Sequence, residues 1–177
     1  MKLFFISLIL IGLSVCTTHA QEVRWGAAAG ANFATDSIMT FKAGAKMEYG
    51  LPYLEHGAFL DVSALLAMHQ IRTPQRTHRP LFLQVPIHVG IRRNINGGYS
   101  SCFASAGGYT AYGLYGLNTS SGGGAGNCRR FNAGVGLKAG FDLDGVGQLS
   151  VGYDYALIGL YDNAKQGSFA LLLAVMF

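Results

Sequence analysis

Apolar and polar residues alternate along most of this chain with a period of two. Arg24 to Phe33 sets the pattern: Trp25, Ala27, Ala29, Ala31 and Phe33 share one parity, and Arg24, Gly26, Ala28, Gly30 and Asn32 the other. Successive side chains leave a pleated strand on opposite faces, so this alternation predicts a β-strand. The next segment repeats it, with Phe41, Ala43, Ala45, Met47 and Tyr49 against Lys42, Gly44, Lys46, Glu48 and Gly50. Further strands are predicted over Ala58 to Met68, Leu81 to Arg92, Tyr99 to Gly113, Phe131 to Asp142, Gln148 to Leu157 and Gly167 to Phe177, eight in all.

The segments between them read as turns and loops. Leu51-Pro52 breaks the second strand, and Arg72 to Arg79 is a polar loop. Asn96-Gly97 and Asp144-Gly145 are tight-turn dipeptides. Leu114 to Arg129, rich in Gly and Ser, is the longest loop, and Asp162 to Gln166 is the last. Gly107-Gly108 predicts a bulge in the fifth strand. Pro86 falls inside the fourth, a position that normally demotes a central strand.

Composition decides which way the faces point. Half of the residues are apolar, only 12% are charged, and there are 25 glycines. A soluble β-sandwich, the alternative, would carry more charge on its outer faces. No segment after the leader reaches the 18 or so consecutive apolar residues of a transmembrane helix. A membrane barrel inverts the faces, so the apolar parity meets lipid and the polar parity fills the lumen. Aromatics on the apolar parity form two levels: Phe33, Phe41, Phe131, Tyr161 and Phe169 at one, Trp25, Tyr49, Tyr99, Phe141 and Phe177 at the other. Such girdles mark the two membrane interfaces. The expected fold is all-β: an eight-stranded antiparallel transmembrane β-barrel with both termini periplasmic. Leu83, Val135, Val151 and Leu173 should then point to lipid near mid-membrane.

The N-terminus points to export. Lys2, an apolar run from Leu3 to Val15 and the small residues of Thr18-His19-Ala20 read as a signal peptide over residues 1–20, leaving 21–177 as one barrel domain. Leu13-Ser14-Val15-Cys16 resembles a lipobox, although Val15 stands where that motif takes a small residue. Leu-Phe-Leu-Gln-Val-Pro-Ile, residues 81 to 87, resembles the Tyr-Leu-x-Ile-Pro-Leu strand of the PorT-like outer-membrane β-barrel family, with Leu81 in place of the first aromatic. The resemblance runs through the Gly-rich strands and implies a cell outer-membrane location. The last strand, ending on Phe177, resembles the terminal signal that the barrel-assembly machinery reads in outer-membrane barrels.

The chemistry follows the faces. The inward polar set is Arg24, Lys42, Lys46, Glu48, Asp61, Gln84, His88, Arg92, Lys138, Asp142 and Asp154. An eight-stranded barrel is just wide enough for its own side chains, so this set reads as a salt-bridged plug. A narrow solute path and a catalytic His88–Asp61 pair are the rival readings. Arg72, Arg76, Arg79, Arg129, Arg130 and Lys165 fall in or beside the loops expected outside, and suit the phosphates of lipopolysaccharide. The net charge of +4 falls by one with Lys2, too little to imply nucleic acid. None of His56, His69, His78 or His88 begins the His-x-Ser of lipid A deacylase-type barrels, and there is no Gly-x-Ser-x-Gly elbow. No metal-ligand spacing occurs either, so no catalytic residue, metal or cofactor is assigned. Cys102 and Cys128 fall at opposite ends of the barrel, too far apart for a disulfide. The expected role is non-enzymatic: a monomeric barrel that supports the envelope or presents its loops to a surface ligand or partner. Small-solute transport is the alternative.

Overall fold

The structure, a computed structural model, describes residues 23–34, 39–51, 54, 57–68, 71–72, 77–78, 80–95, 100–115, 130–158 and 167–177. Eight long strands form one closed antiparallel barrel: β1 (Val23–Ala34), β2 (Thr40–Gly50), β3 (Ala58–Met68), β6 (Leu81–Asn94), β7 (Ser101–Tyr115), β8 (Phe131–Leu143), β9 (Gly147–Ala156) and β10 (Gly167–Met176). Two short strands, β4 (Ile71–Arg72) and β5 (Thr77–His78), make a separate hairpin. The strands run around the barrel in the order β1-β10-β9-β8-β7-β6-β3-β2. Closure matters because an open edge would leave backbone N–H and C=O groups without partners. The seam joins β1 to β10, from Gly26 opposite Met176 to Ala34 opposite Ser168. It ends where Trp25 N donates to Phe177 O at 3.1 Å and Phe177 N donates to Trp25 O at 2.6 Å.

The predicted parities hold on every barrel strand where both faces were assigned. Leu83, Val135, Val151 and Leu173 point outward and are 37–61% exposed. Lys42, Lys46, Glu48, Asp61, Gln84, His88 and Asp142 are buried inside. Of the aromatic levels, Phe33, Phe41, Phe131 and Phe169, and Trp25, Phe141 and Phe177, are exposed on the outer face. Tyr99 and Tyr161 lie outside the described residues. The start of β1 at Val23 and the end of the last strand at Phe177 share one end of the barrel with the turns between β2 and β3, β6 and β7, and β8 and β9. In the last of these, Asp144 and Gly145 both adopt positive φ, as a tight hairpin requires.

Three local expectations change. There is no bulge at Gly107-Gly108: Gly107 pairs with Gly136 and Gly108 with Val135 in unbroken register. A Cβ on Gly107 would collide with the backbone at Ile87 and His88, so this glycine permits close strand approach instead. The register shift lies between Leu81 and Phe82, where Phe82 is opposite Gly113 and Leu81 is opposite Tyr115. Leu114 and Tyr115 therefore belong to β7 rather than to the following loop. Between Arg72 and Arg79 the chain forms the β4–β5 hairpin, its short strands favoured by Ile71 and Thr77.

Pro86 remains inside β6, and the ladder adjusts to it. Pairing with β3 runs from Ala58 to Val62 and resumes at Leu65, skipping Ser63 and Ala64 opposite Pro86 and Val85. A residue without an N–H cannot donate across that gap.

Candidate functional site in the barrel lumen

The inward parity converges on a branched ion-pair lattice in the half of the lumen nearest the chain ends. Glu48, from β2, is its hub. Its Oε2 receives Arg92 Nη2 at 2.6 Å and lies 3.5 Å from Arg24 Nη1, while its Oε1 lies 3.0 Å from Lys46 Nζ. Asp142 of β8 holds Arg24 Nη1 at 2.7 Å and Arg92 Nη2 at 3.3 Å. Asp61 of β3 accepts from Lys138 at 2.7 Å and from Ser63 Oγ at 3.2 Å, and lies 3.4 Å from Lys46. Arg24 Nη2 also donates to the Gly145 carbonyl, tying the β8–β9 turn to β1.

Gln148 stitches the lattice together. Its Nε2 donates to Glu48 Oε1 at 2.9 Å and to Asp142 Oδ2 at 3.3 Å, and its Oε1 accepts from Lys46 at 2.6 Å. Two inward aromatics floor the cluster. Phe59 and Phe103 meet edge to face at 6.0 Å, with the Arg92 guanidinium 4.8 Å from the Phe59 ring centre. Pairing and hydrogen bonding offset the cost of burying these charges, although Arg92 Nε is buried without a partner.

Toward the opposite end the lumen changes character. Lys42 and Asp154 are 3.7 Å apart, and Gln84 Nε2 reaches Asp154 at 3.5 Å. Both ring nitrogens of His88 and Oε1 of Gln84 are buried without a hydrogen-bond partner. A cavity of ≈ 20 Å³ lies among Lys42, Gln84, His88, Lys138 and Asp154. Gly136 makes the space: a Cβ there would meet Asp154 Oδ1 at 2.5 Å and His88 Nε2 at 3.1 Å. Leu65 and Leu172 also line this cavity, and beyond it the buried inward residues are Ala67, Phe82, Tyr109 and Ala111 with the polar Asn32 and Asn132, whose Oδ1 atoms have no hydrogen-bond partner.

All eleven residues expected in the lumen are inside it: Arg24, Lys42, Lys46, Glu48, Asp61, Gln84, His88, Arg92, Lys138, Asp142 and Asp154. The first lattice gathers seven of them; Lys42, Gln84, His88 and Asp154 stand apart from it. The His88–Asp61 couple that a general base would need is not made. The two residues are strand partners, but Asp61 spends its oxygens on Lys138, Lys46 and Ser63. Among the described residues, no three His, Cys, Asp or Glu side chains gather as metal ligands would. Gln148, Ser63, Phe59, Phe103 and Tyr109 are lumen residues absent from the expected set. Gln148 shares its parity with Ser150, and that was the available signal.

Of the rim cations, Arg130 is exposed beside β8, its carbonyl accepting from Gly113 N at 2.7 Å. Arg72 lies in β4 opposite Thr77. Arg76, Arg79, Arg129 and Lys165 lie outside the described residues, as does Cys128. Cys102 is exposed on the outer face.

No family model matches the chain, and no curated relative does. Solved structures match over nearly the whole barrel. The outer membrane enzyme PagL superposes with a TM-score of 0.58 at 16% identity, over 86% of this chain and 98% of that one. Neisserial surface protein A gives 0.53 at 14%, over 90% and 100%. The N-terminal β-barrel domain of Pseudomonas aeruginosa OprF gives 0.51 at 12%, over 87% and 97%. At these identities the likeness is one of fold. The chain has the closed eight-stranded barrel that small outer-membrane proteins share. That barrel carries different functions, an enzyme among them, so the role must be argued from this chain's own residues.

Proposed function

We propose that this chain is an exported, monomeric, integral outer-membrane barrel with a sealed lumen, acting non-enzymatically by presenting its longer loops to a surface ligand. One observation carries the reading: a continuous apolar outer face encloses a lumen closed by ion pairs. In this reading residues 1–20 are the cleaved leader and 21–177 the barrel. The termini and tight turns face the periplasm, and the strand ending at Phe177 is what the assembly machinery engages. The Leu81–Ile87 resemblance to the PorT-like family supports the same placement. Arg72, Arg76, Arg79, Arg129, Arg130 and Lys165 then face outward and bind lipopolysaccharide phosphates by charge-assisted hydrogen bonds.

Planar-bilayer recording of the refolded chain is the direct test. A sealed barrel gives no steady conductance; frequent, reproducible steps would replace this reading with that of a small pore. Placement in lipid is tested on the outer face. Leu173→Arg should cost about 2–4 kcal/mol of folding stability in vesicles, because the charge enters hydrocarbon. A change near zero would count against a membrane-spanning strand. Changing Arg72, Arg76, Arg129 and Arg130 together to Gln should lower co-purifying lipopolysaccharide, and an unchanged amount would remove the ligand from the proposal.

A further inference from the structure

The apolar outer belt is interrupted by a groove near the end of the barrel that carries the chain ends. Strand register defines it. Ile91 of β6 lies opposite Ala104 of β7, which lies opposite Ala139 of β8; in the next row Val89 faces Ala106, and Ala106 faces Leu137. The alanines form a floor one methyl high. Val89 and Ile91 form one wall and Leu137 the other. Leu54, in the turn between β2 and β3, stands 70% exposed beside Ala58 at the end of the groove. The hollow measures ≈ 480 Å³.

One step further along the same outward parity, Arg93 pairs with Cys102, which in turn lies opposite Phe141. Arg93 is two residues beyond Ile91, about 7 Å along the strand. It is exposed, and among the described residues no carboxylate pairs with it. A cation thus stands at the mouth of an apolar channel, at the level where an interface begins.

The dimensions select the occupant. The walls stand on the two strands flanking β7, about 9.6 Å apart between backbones. Their side chains fill part of that width, so an α-helix about 10 Å across does not fit. A single hydrocarbon chain does. We infer that the groove is a binding site for one glycerophospholipid. One acyl chain lies over Ala104 and Ala106 between Val89, Ile91 and Leu137, and the lipid phosphate is held by the Arg93 guanidinium. The outward alanines of β1 and β2 provide the contrast. Ala27, Ala29, Ala31, Ala43 and Ala45 are equally small, but the outward parity of those two strands carries no cation. The inference rests on the membrane placement proposed above.

The test uses the full barrel in detergent micelles and counts retained lipid by native mass spectrometry. Three probes are offered: phosphatidylglycerol, a phosphate-free diacyl glycolipid, and inorganic phosphate alone. The expected result is one retained phosphatidylglycerol per chain, weaker retention of the glycolipid and none of phosphate. Ala106→Phe fills the channel from its open side, and should lower phosphatidylglycerol retention at least about tenfold. Arg93→Gln leaves the channel intact and should abolish the preference for phosphatidylglycerol over the glycolipid. Ala29→Phe should leave retention unchanged. Loss in all three variants, or in neither Ala106→Phe nor Arg93→Gln, overturns the site. So does a second copy of the chain occupying the groove, seen as a dimer that Ala106→Phe dissolves. Failure of the wild-type chain to insert into phosphatidylglycerol vesicles would overturn the membrane placement itself; insertion without selective retention overturns the lipid site alone.

Discussion

The two halves of the lumen are built from the same alternation of residues, yet they close the barrel by different means. Near the chain ends, Glu48, Asp61 and Asp142 each meet several donors, and Gln148 uses both ends of its amide. Toward the long loops, the Lys42–Asp154 pair is looser, at 3.7 Å, and His88 and Gln84 keep buried atoms without partners. Leu65, Phe82, Ala111 and Leu172 fill that end mainly by bulk, with Asn32 and Asn132 among them. The difference lies in how densely the charges are cross-linked: several donors meet each carboxylate in one half, and a single loose pair, Lys42–Asp154, stands in the other. Where the lattice thins, apolar side chains take over. The cavity of ≈ 20 Å³ at the boundary has room for about one water molecule.

Substitution can break this contrast, and the lattice hub should respond most. Glu48→Ala removes the carboxylate that Arg92, Lys46 and Arg24 share, leaving an excess of buried positive charge on Asp142 and Asp61, and should cost about 3–5 kcal/mol. Urea unfolding in vesicles, followed through the chain's one tryptophan, Trp25, would measure it. The two inward glutamines give the sharpest comparison, since the chemical change is identical. Gln148→Leu removes three hydrogen bonds to charged groups and should cost about 3 kcal/mol; Gln84→Leu removes one long bond and should cost no more than about 1 kcal/mol. Equal costs would show that the halves do not differ. The smallest effect belongs to His88→Leu. Its two nitrogens have no protein partner, so the same unfolding measurement should move by less than about 1 kcal/mol in either direction. A loss comparable to that of Gln148→Leu would mean that His88 is hydrogen-bonded to tightly held water.

Alternation made the faces of this barrel readable because a strand has no other way to place its side chains. Trp25 and Arg24 are separated by one residue and by the whole thickness of the wall. Register was not readable in this way, and it decides which inward residues meet. Glu48 and Asp142 share Arg24, Arg92 and Gln148 because strands β1, β2, β6, β8 and β9 are staggered to one level, which no local pattern reveals. The strand β7 hid its parity for a different reason. Ala104, Ser105, Ala106, Gly107 and Gly108 are small on both faces, so inward Phe103 and Tyr109 gave no contrast. The glycine pair suggested a bulge for the same lack of information; what Gly107 provides is room for His88. The rim arginines fall mostly in segments whose spacing carries no period, and their grouping was a matter of composition alone.

The hydrogen-bonded meeting of Trp25 and Phe177 gives the first and last strands adjacent places in a ring. Every other strand pairing in the barrel joins consecutive long strands, so the seam is the ladder that unites the first with the last. Its entropic penalty is modest, since loop-closure cost grows only with the logarithm of length. Its architectural consequence is larger. A ring has no first member, so where the polypeptide starts is a fact of synthesis and not of the finished wall. Joining the ends across the seam and cutting instead between Asp144 and Val146 would leave the same neighbours around the circle. Phe177 would keep its place beside Trp25. The pairing of Phe177 with Trp25 therefore depends on the order of strands around the ring and not on which residue the chain finishes with.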